Sequence, residues 1–268
     1  METIFVKFGG STITDKTKQF TAREDIIRQL VREIAEAKKK TGIRLVVGHG
    51  SGSFGHTYAH QYQVHKGITG PESWKGYALT HDAAARLNRI VVKIFLEEGV
   101  NAVSMQPSAS GFNENGKMKS MSVAQLEKLL DAGLVPVVFG DMMLDEKMGC
   151  SVASTEEVFT YLAPKLKVDR MIFVGLTDGV YTADPLKDPN AKLIEHITPA
   201  NFEQVRKGLG GSHGVDVTGG MLDKVEKILG IMKQMPYTKA ALVSGEKPGR
   251  LKSALLGENI ACTRITAR

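Results

Sequence analysis

Cysteine is nearly absent. The 268 residues include two, Cys150 and Cys262, far apart in the chain. Neither a disulfide framework nor a thiolate metal cluster is expected, and two reduced thiols in a cytoplasmic protein are. No apolar run approaches the roughly 20 residues of a membrane-spanning helix, so no membrane partner is expected. The opening Met1-Glu2-Thr3-Ile4-Phe5-Val6-Lys7 lacks a basic region followed by an apolar one. It reads as a first strand rather than a secretory leader. There is no linker, low-complexity tract or solenoid-length repeat, which predicts one domain over 1–268 with lobes of about 1–167 and 168–268. The Walker-A pattern is missing, and no dinucleotide fingerprint stands in register. The formal charge is +6, but the basic residues are scattered over predicted helix faces. The densest run, Lys38-Lys39-Lys40, closes a helix with no aromatic platform beside it. No nucleic-acid partner is expected, and a modest positive excess suits a small anionic substrate.

Glycine is plentiful, at 28 residues, and it punctuates a regular alternation of strand and helix patterns. Strands are predicted over 3–8, 45–47, 100–105, 134–139, 170–174, 240–243 and 261–265. Hairpins are predicted over 111–121, turning at Asn115-Gly116, and over 142–152. One helix is predicted to open at Thr21, spaced from Glu24 as in a capping box, and to end at Gly42. Others are predicted over 74–98, 123–131, 155–166 with Ser154 as N-cap, 221–235 and 249–255. The polar stretch 60–72 reads as a mobile cover over a site. The class is α/β with a largely parallel central sheet, whose ligands lie across the carboxyl ends of the strands.

The central stretch is Gly48-His49-Gly50-Ser51-Gly52-Ser53-Phe54-Gly55-His56, directly after the apolar run Leu45-Val46-Val47. Four glycines in nine residues free the backbone to curl and let a ligand approach main-chain N–H groups, a setting that attracts anions. His49 and His56 bracket it, each able to donate to a phosphate oxygen. A tight strand-to-helix turn without a ligand is the plain alternative. Three further glycine stretches hold similar places: Lys7-Phe8-Gly9-Gly10-Ser11, Gly175-Leu176-Thr177-Asp178-Gly179 and Asp216-Val217-Thr218-Gly219-Gly220. Together they suggest a groove for polyphosphate. Lys7 precedes the first pair of glycines and Lys224 lies one helical turn past the last, so two lysines from opposite ends of the chain can neutralise a phosphoryl group in transfer. Surface solvation is the alternative for each lysine.

Lys7-x-Gly9-Gly10-Ser11, the strand-then-glycine loop, Asp178-Gly179-Val180-Tyr181-x-x-Asp184-Pro185 and Asp216-Val217-Thr218-Gly219-Gly220-Met221-x-x-Lys224, in this order, resemble the amino acid kinase superfamily over almost the whole chain. Within it, four segments look most like the isopentenyl phosphate kinases. They are Gly50-x-Gly52-Ser53-Phe54-Gly55-His56, Gly9-Gly10-Ser11-x-Ile13-Thr14-Asp15-Lys16, Val103-Ser104-Met105-Gln106-Pro107-Ser108-Ala109 and the ending through Cys262-Thr263-Arg264-Ile265. Fosfomycin kinases share the His-containing loop and a similar C-terminus. The resemblance implies a three-layer αβα sandwich, a homodimer, ATP with Mg²⁺, isopentenyl phosphate as acceptor and isopentenyl diphosphate as product. It implies Lys7, Gly9, Gly10, Ser11, Ser51, Asp178, Gly179, Tyr181, Gly219 and Lys224 at ATP. It implies Gly50, Gly55, His56 and Thr155 at the acceptor phosphate, and Lys16 at the transferred phosphoryl group. His56, Lys7, Lys16 and Lys224 would form the catalytic set, with no metal ligand from the protein.

Two departures stand out. Ser154-Thr155-Glu156 replaces the family's Ser-Gly-Asp, and Gly175-Leu176 replaces its Thr-Asp. Glu156 is expected to organise the lysines in place of the aspartate. No dedicated base is needed, because a phosphate monoester is already largely dianionic at neutral pH. His56 is therefore read as a donor to the acceptor phosphate. A five-carbon tail needs apolar walls, for which the 74–98 helix offers Tyr77, Ala78, Ala85 and Ile90. His60, His65, His81, His196 and His213 read as surface or packing residues. A nucleotide-sensing subunit on the same fold is a further reading, against which Lys7, Lys16, His56 and Lys224 together argue.

Overall fold

The structure, a computed structural model, describes residues 1–185, 187–210 and 219–268. In chain order the elements are β1 (Thr3–Phe8), α1 (Gly10–Ile13), α2 (Glu24–Lys40), β2 (Arg44–His49), α3 (Gly52–Gln61), α4 (Pro71–Glu97) and β3 (Ala102–Ser104). Then come β4 (Phe112–Glu114), β5 (Lys117–Ser120), α5 (Ala124–Asp131), β6 (Val135–Phe139), β7 (Asp141–Asp145), β8 (Gly149–Ala153), α6 (Thr155–Lys165) and β9 (Arg170–Gly175). The chain ends with β10 (His196–Ile197), α7 (Pro199–Gly210), α8 (Gly219–Gln234), β11 (Lys239–Ser244), α9 (Arg250–Leu256) and β12 (Thr263–Ile265).

Eight strands form one sheet in the order β10-β12-β11-β9-β1-β2-β6-β3, parallel except where β11 meets β12. Every strand residue of β1 is buried, as a central parallel strand covered on both faces requires. Its side chains alternate between two cores. Ile4, Val6 and Phe8 pack with α2, α4 and α9; Phe5 packs with α5, α6 and α8. Helices therefore cover both faces, giving the three-layer αβα sandwich. A smaller sheet, β5-β4-β7-β8, stands beside the large one.

Most predicted elements appear within a few residues of their expected bounds. The capping box at Thr21 does not form. Residues 21–23 instead pair with the first loop: Asp15 N–H donates to the Thr21 carbonyl at 3.0 Å, and Arg23 N–H to Ile13 at 2.8 Å. That pairing leaves Arg23 as N-cap of α2, with no side-chain bond. Nor does Gly42 end the helix. Thr41 does, in an extended conformation, with its hydroxyl on the Ala37 carbonyl. The stretch 60–72, expected as a mobile cover, carries secondary structure. It holds the end of α3, a 3₁₀ turn over Val64–Lys66 and the start of α4, and Ile68 N–H is bonded to the Met148 carbonyl at 2.8 Å.

Candidate active site

Strand alternation places the first cation. Lys7 lies two residues from Phe5 and so faces the α6–α8 side. It is 8% exposed, and a buried ammonium needs a partner. Glu156, in the first turn of α6, supplies it: Lys7 Nζ donates to Glu156 Oε1. Burial alone would push the Glu156 carboxyl up, but attraction and hydrogen bonding from Lys7 outweigh it and hold the group below the usual range. Lys224 of α8 feels the same centre. Burial and repulsion from Lys7 lower its ammonium, Glu156 opposes them, and Lys16 adds to the lowering. Lys7 and Lys224 thus share one carboxylate, with Lys16 adding to the field at Lys224, an excess of positive charge fit for a polyanion.

Two turns face each other beside this cluster. They leave β1 and β2, which pair in parallel with Phe8 opposite His49. A Cβ on Gly10 would sit 2.7 Å from Gly52 N, and one on Gly50 would sit 3.0 Å from Gly10 N. No larger residue fits at this contact. Thr14 stitches the turns together: its hydroxyl donates to the Gly10 carbonyl at 2.7 Å and accepts from Ser53 N–H at 3.0 Å. The leading amides of α3, after Ser51 as N-cap, carry the positive end of the helix dipole, with Ser53 N–H taken by Thr14 and Phe54 N–H by the Ser51 carbonyl at 3.0 Å. Gly9, Gly10 and Ser11 line the opposing turn.

His56 projects from α3 into a cavity of about 220 Å³, lined also by Ser51, Gly55, Ala59, Ala84, Met142 and Val152. Partial burial, then Lys16, then His60 lower its imidazole pKa. Lys16 thus acts on His56 through its charge. His49 has a different fate. It is fully buried, its Nδ1–H donates to the Gly50 carbonyl at 3.1 Å, and its Nε2 accepts from Asn88 at 3.1 Å. Burial pushes its pKa down to about 4. It shapes the loop from beneath and does not reach the cavity.

The cavity wall corrects the expected register of α4. Thr80 and Ala84 line it, one turn apart, whereas Ala78 is exposed and Ile90 packs against the core. Tyr77 packs against the small cluster of Ala59, Val64, Met142 and Cys150 behind the cavity. Helix α4 must serve both the core and the cavity, so its inward stripe is set by tertiary packing. Thr155 is 1% exposed. Its hydroxyl donates to the His49 carbonyl at 2.6 Å, so its added bulk lies under the loop and out of the cavity.

On the other half of the sheet, Asp178 is 3% exposed and is paired with Lys247 Nζ and, at 3.3 Å, with Arg250 Nε. Gly179, at φ +157, lies where a Cβ would meet Thr263 Oγ1 at 2.1 Å. Tyr181 bridges to Leu193 in the following loop. Gly219 begins α8; Asp216, Val217 and Thr218, and likewise His213, lie outside the described residues. The sequence reading missed Thr14, Lys247 and Arg250, each of which has a partner distant in sequence. It also set aside His60 and His65, which line the cavity. The i, i+4 spacing of His60 from His56 and the place of both residues after the glycine loop were the available signals.

The amino acid kinase family model matches residues 2–238. An isopentenyl phosphate kinase from Methanothermobacter thermautotrophicus is 34% identical over 99% of this chain and 99% of its own. One from Haloferax volcanii is 34% identical over 93% of this chain and 98% of its own. A crystal structure of an isopentenyl phosphate kinase superposes with a TM-score of 0.83 at 32% identity, covering 99% of this chain and 100% of the other. Matched along nearly its whole length, the chain belongs to the amino acid kinase family, among its isopentenyl phosphate kinases.

Proposed function

We propose that this chain transfers the terminal phosphoryl group of ATP to isopentenyl phosphate, forming isopentenyl diphosphate. The observation that carries the reading is one gathering of groups: Lys7, Lys16, Lys224, Glu156 and His56 around two facing glycine turns, with an apolar cavity directly behind His56. The relatives named above bear the name of this activity.

Each residue then has a physical task. The amides of Gly9, Gly10, Ser11 and Ser51 and the ammonium groups of Lys7 and Lys224 hold the nucleotide phosphates. Gly179, Tyr181 and Gly219 border the nucleotide from the other half of the sheet, and Asp178 fixes that border through Lys247 and Arg250. Gly50, Gly55, the Thr155 amide and His56 hold the acceptor phosphate. Lys16 holds the group in transit. Ala59, Ala84, Met142 and Val152 take the branched tail. The acceptor oxygen is already nucleophilic, so the site's work is to align two mutually repelling anions. Mg²⁺ bound to the nucleotide would supply further charge neutralisation. The 1–167 part carries the acceptor and the 168–268 part most of the nucleotide, within one domain that works as a homodimer in the cytoplasm.

The test is ADP release over a panel of acceptors: isopentenyl, dimethylallyl and geranyl phosphates, fosfomycin, UMP, glutamate and carbamate. Isopentenyl phosphate is expected to give the highest kcat/KM. A higher value for fosfomycin or UMP, or no release with any acceptor, overturns the reading.

A further inference from the structure

Three imidazoles follow one another along one wall of the acceptor cavity. His56 and His60 are one helical turn apart on α3, with ring centroids 6.2 Å apart, and His65 lies 5.6 Å beyond His60. All three line the cavity and are solvent-accessible. We propose that His56 and His60 chelate a divalent transition cation such as Zn²⁺, and that the bound ion blocks the acceptor phosphate by occupying its histidine donor. The consequence for catalysis rests on the function proposed above; the site itself does not.

The i, i+4 spacing puts two side chains on one helix face, the arrangement by which paired helical histidines hold Zn²⁺. Imidazole nitrogen suits the borderline ions Zn²⁺, Ni²⁺ and Co²⁺ rather than Mg²⁺, which prefers oxygen. Metal ligation needs a neutral ring, the form an ordinary imidazole holds above about pH 6.5. His65 is oriented in the same sense. Its Nδ1–H donates to the Ala59 carbonyl at 3.2 Å, which leaves Nε2 as the free lone pair, as in metal sites whose outer hydrogen bond fixes the tautomer. Asp141 also lines the cavity, but its carboxylate is buried and engaged by the Ser108 and Met142 N–H groups at 3.0 and 2.8 Å. No three potential ligands converge among the described residues. The site is thus an open, two-imidazole chelate that water completes, fit for reversible occupancy and not for a structural ion.

Two measurements on the full chain decide it. Zn²⁺ titrated calorimetrically is expected to bind once per chain, and His60→Ala to weaken that binding about tenfold or more. In kinetics with Mg-ATP in excess, Zn²⁺ is expected to raise the KM for isopentenyl phosphate while leaving that for ATP unchanged, and EDTA to reverse it. In His60→Ala the fractional inhibition, taken against that variant's own rate, disappears. His60 is exposed, so the substitution is tolerated by the fold; His60→Gln serves as the second variant. Binding that is absent, or equal in wild type and both variants, overturns the proposal, as does inhibition competitive with ATP. A His60-dependent Zn²⁺ site in a chain that fails to phosphorylate isopentenyl phosphate would sink the functional reading and leave the site standing.

Discussion

At the scale of single residues, burial separates two histidines that flank one loop. His56 meets the cavity, so His56→Ala is expected to lower kcat by about a hundredfold or more, as for loss of a donor to developing charge. The affinity for ATP, measured by calorimetry, should hardly change, and its loss would contradict the assignment. His49 meets only protein. Its pKa is about 4 in the fold against about 6.5 unfolded. The folded value is the lower one, so the stability it contributes is present above pH 6.5 and is lost as pH falls toward 4. The loss is of order 3 kcal/mol. His49→Gln should flatten that part of a plot of melting temperature against pH. Glu156 shows what a shared counter-charge does. Glu156→Gln leaves Lys7 and Lys224 facing each other unneutralised, at a cost of ~3 kcal/mol. ATP phosphates replace the missing charge, so the rise in melting temperature on adding ATP should be larger in the variant than in wild type. An equal rise would mean that the lysines do not face the nucleotide.

At the scale of elements, one carboxylate holds the small sheet in shape. Asp145 on β7 accepts from Asn115 and Gly116 N–H in the β4–β5 turn, from Lys147 and Met148 N–H in the β7–β8 turn, and from the Ser151 hydroxyl. Burial would raise its carboxyl, yet these bonds hold it well below the usual range. Asp145→Asn turns an acceptor into a donor aimed at amides. It should cost about 2–3 kcal/mol and lower the melting temperature by about 5 °C or more. Strands β7 and β8 carry Met142 and Val152 into the cavity wall, so the KM for the acceptor should rise while that for ATP stays. The Asn115-Gly116 turn was legible from its residue pair, and β1 and β9 from unbroken apolar runs. The role of Asp145 was not, because its partners come from two hairpins that only the fold brings together. Lys7 and Glu156, 149 residues apart, were legible as candidates through the family's motif, and their pairing follows from strand alternation. The cavity face of α4 was not legible, since two stripes of similar apolarity compete and the neighbouring elements choose between them.

At the scale of the whole molecule, the central pair β1 and β9 joins the two halves of the sheet, and the charged cluster lies near that seam. Strand β1 brings Lys7, the loop after it brings Lys16, and α8 from the far half brings Lys224. The loops are also tied across the seam, since Arg23 holds Glu246 through two hydrogen bonds and donates to the Thr12 carbonyl at 3.1 Å. A chain of formal charge +6, with the lysines proposed to act on phosphate gathered near one carboxylate, is expected to draw both anionic substrates by the same field. Such attraction is screened over about 10 Å at 0.1 M salt and about 3 Å at 1 M. Approach is long-range and screened; transfer occurs between groups in contact, where screening is weak. Raising KCl from roughly 0.05 to 0.5 M should therefore raise both KM values several-fold while kcat moves much less. If kcat fell in step with kcat/KM, the lysines would remain open to counter-ions in the bound state, and the enclosed cluster inferred here would be wrong. Sodium sulfate at matched ionic strength separates the two cases further. A divalent anion competing for the phosphate positions raises KM beyond the KCl effect, whereas screening alone gives one curve for both salts.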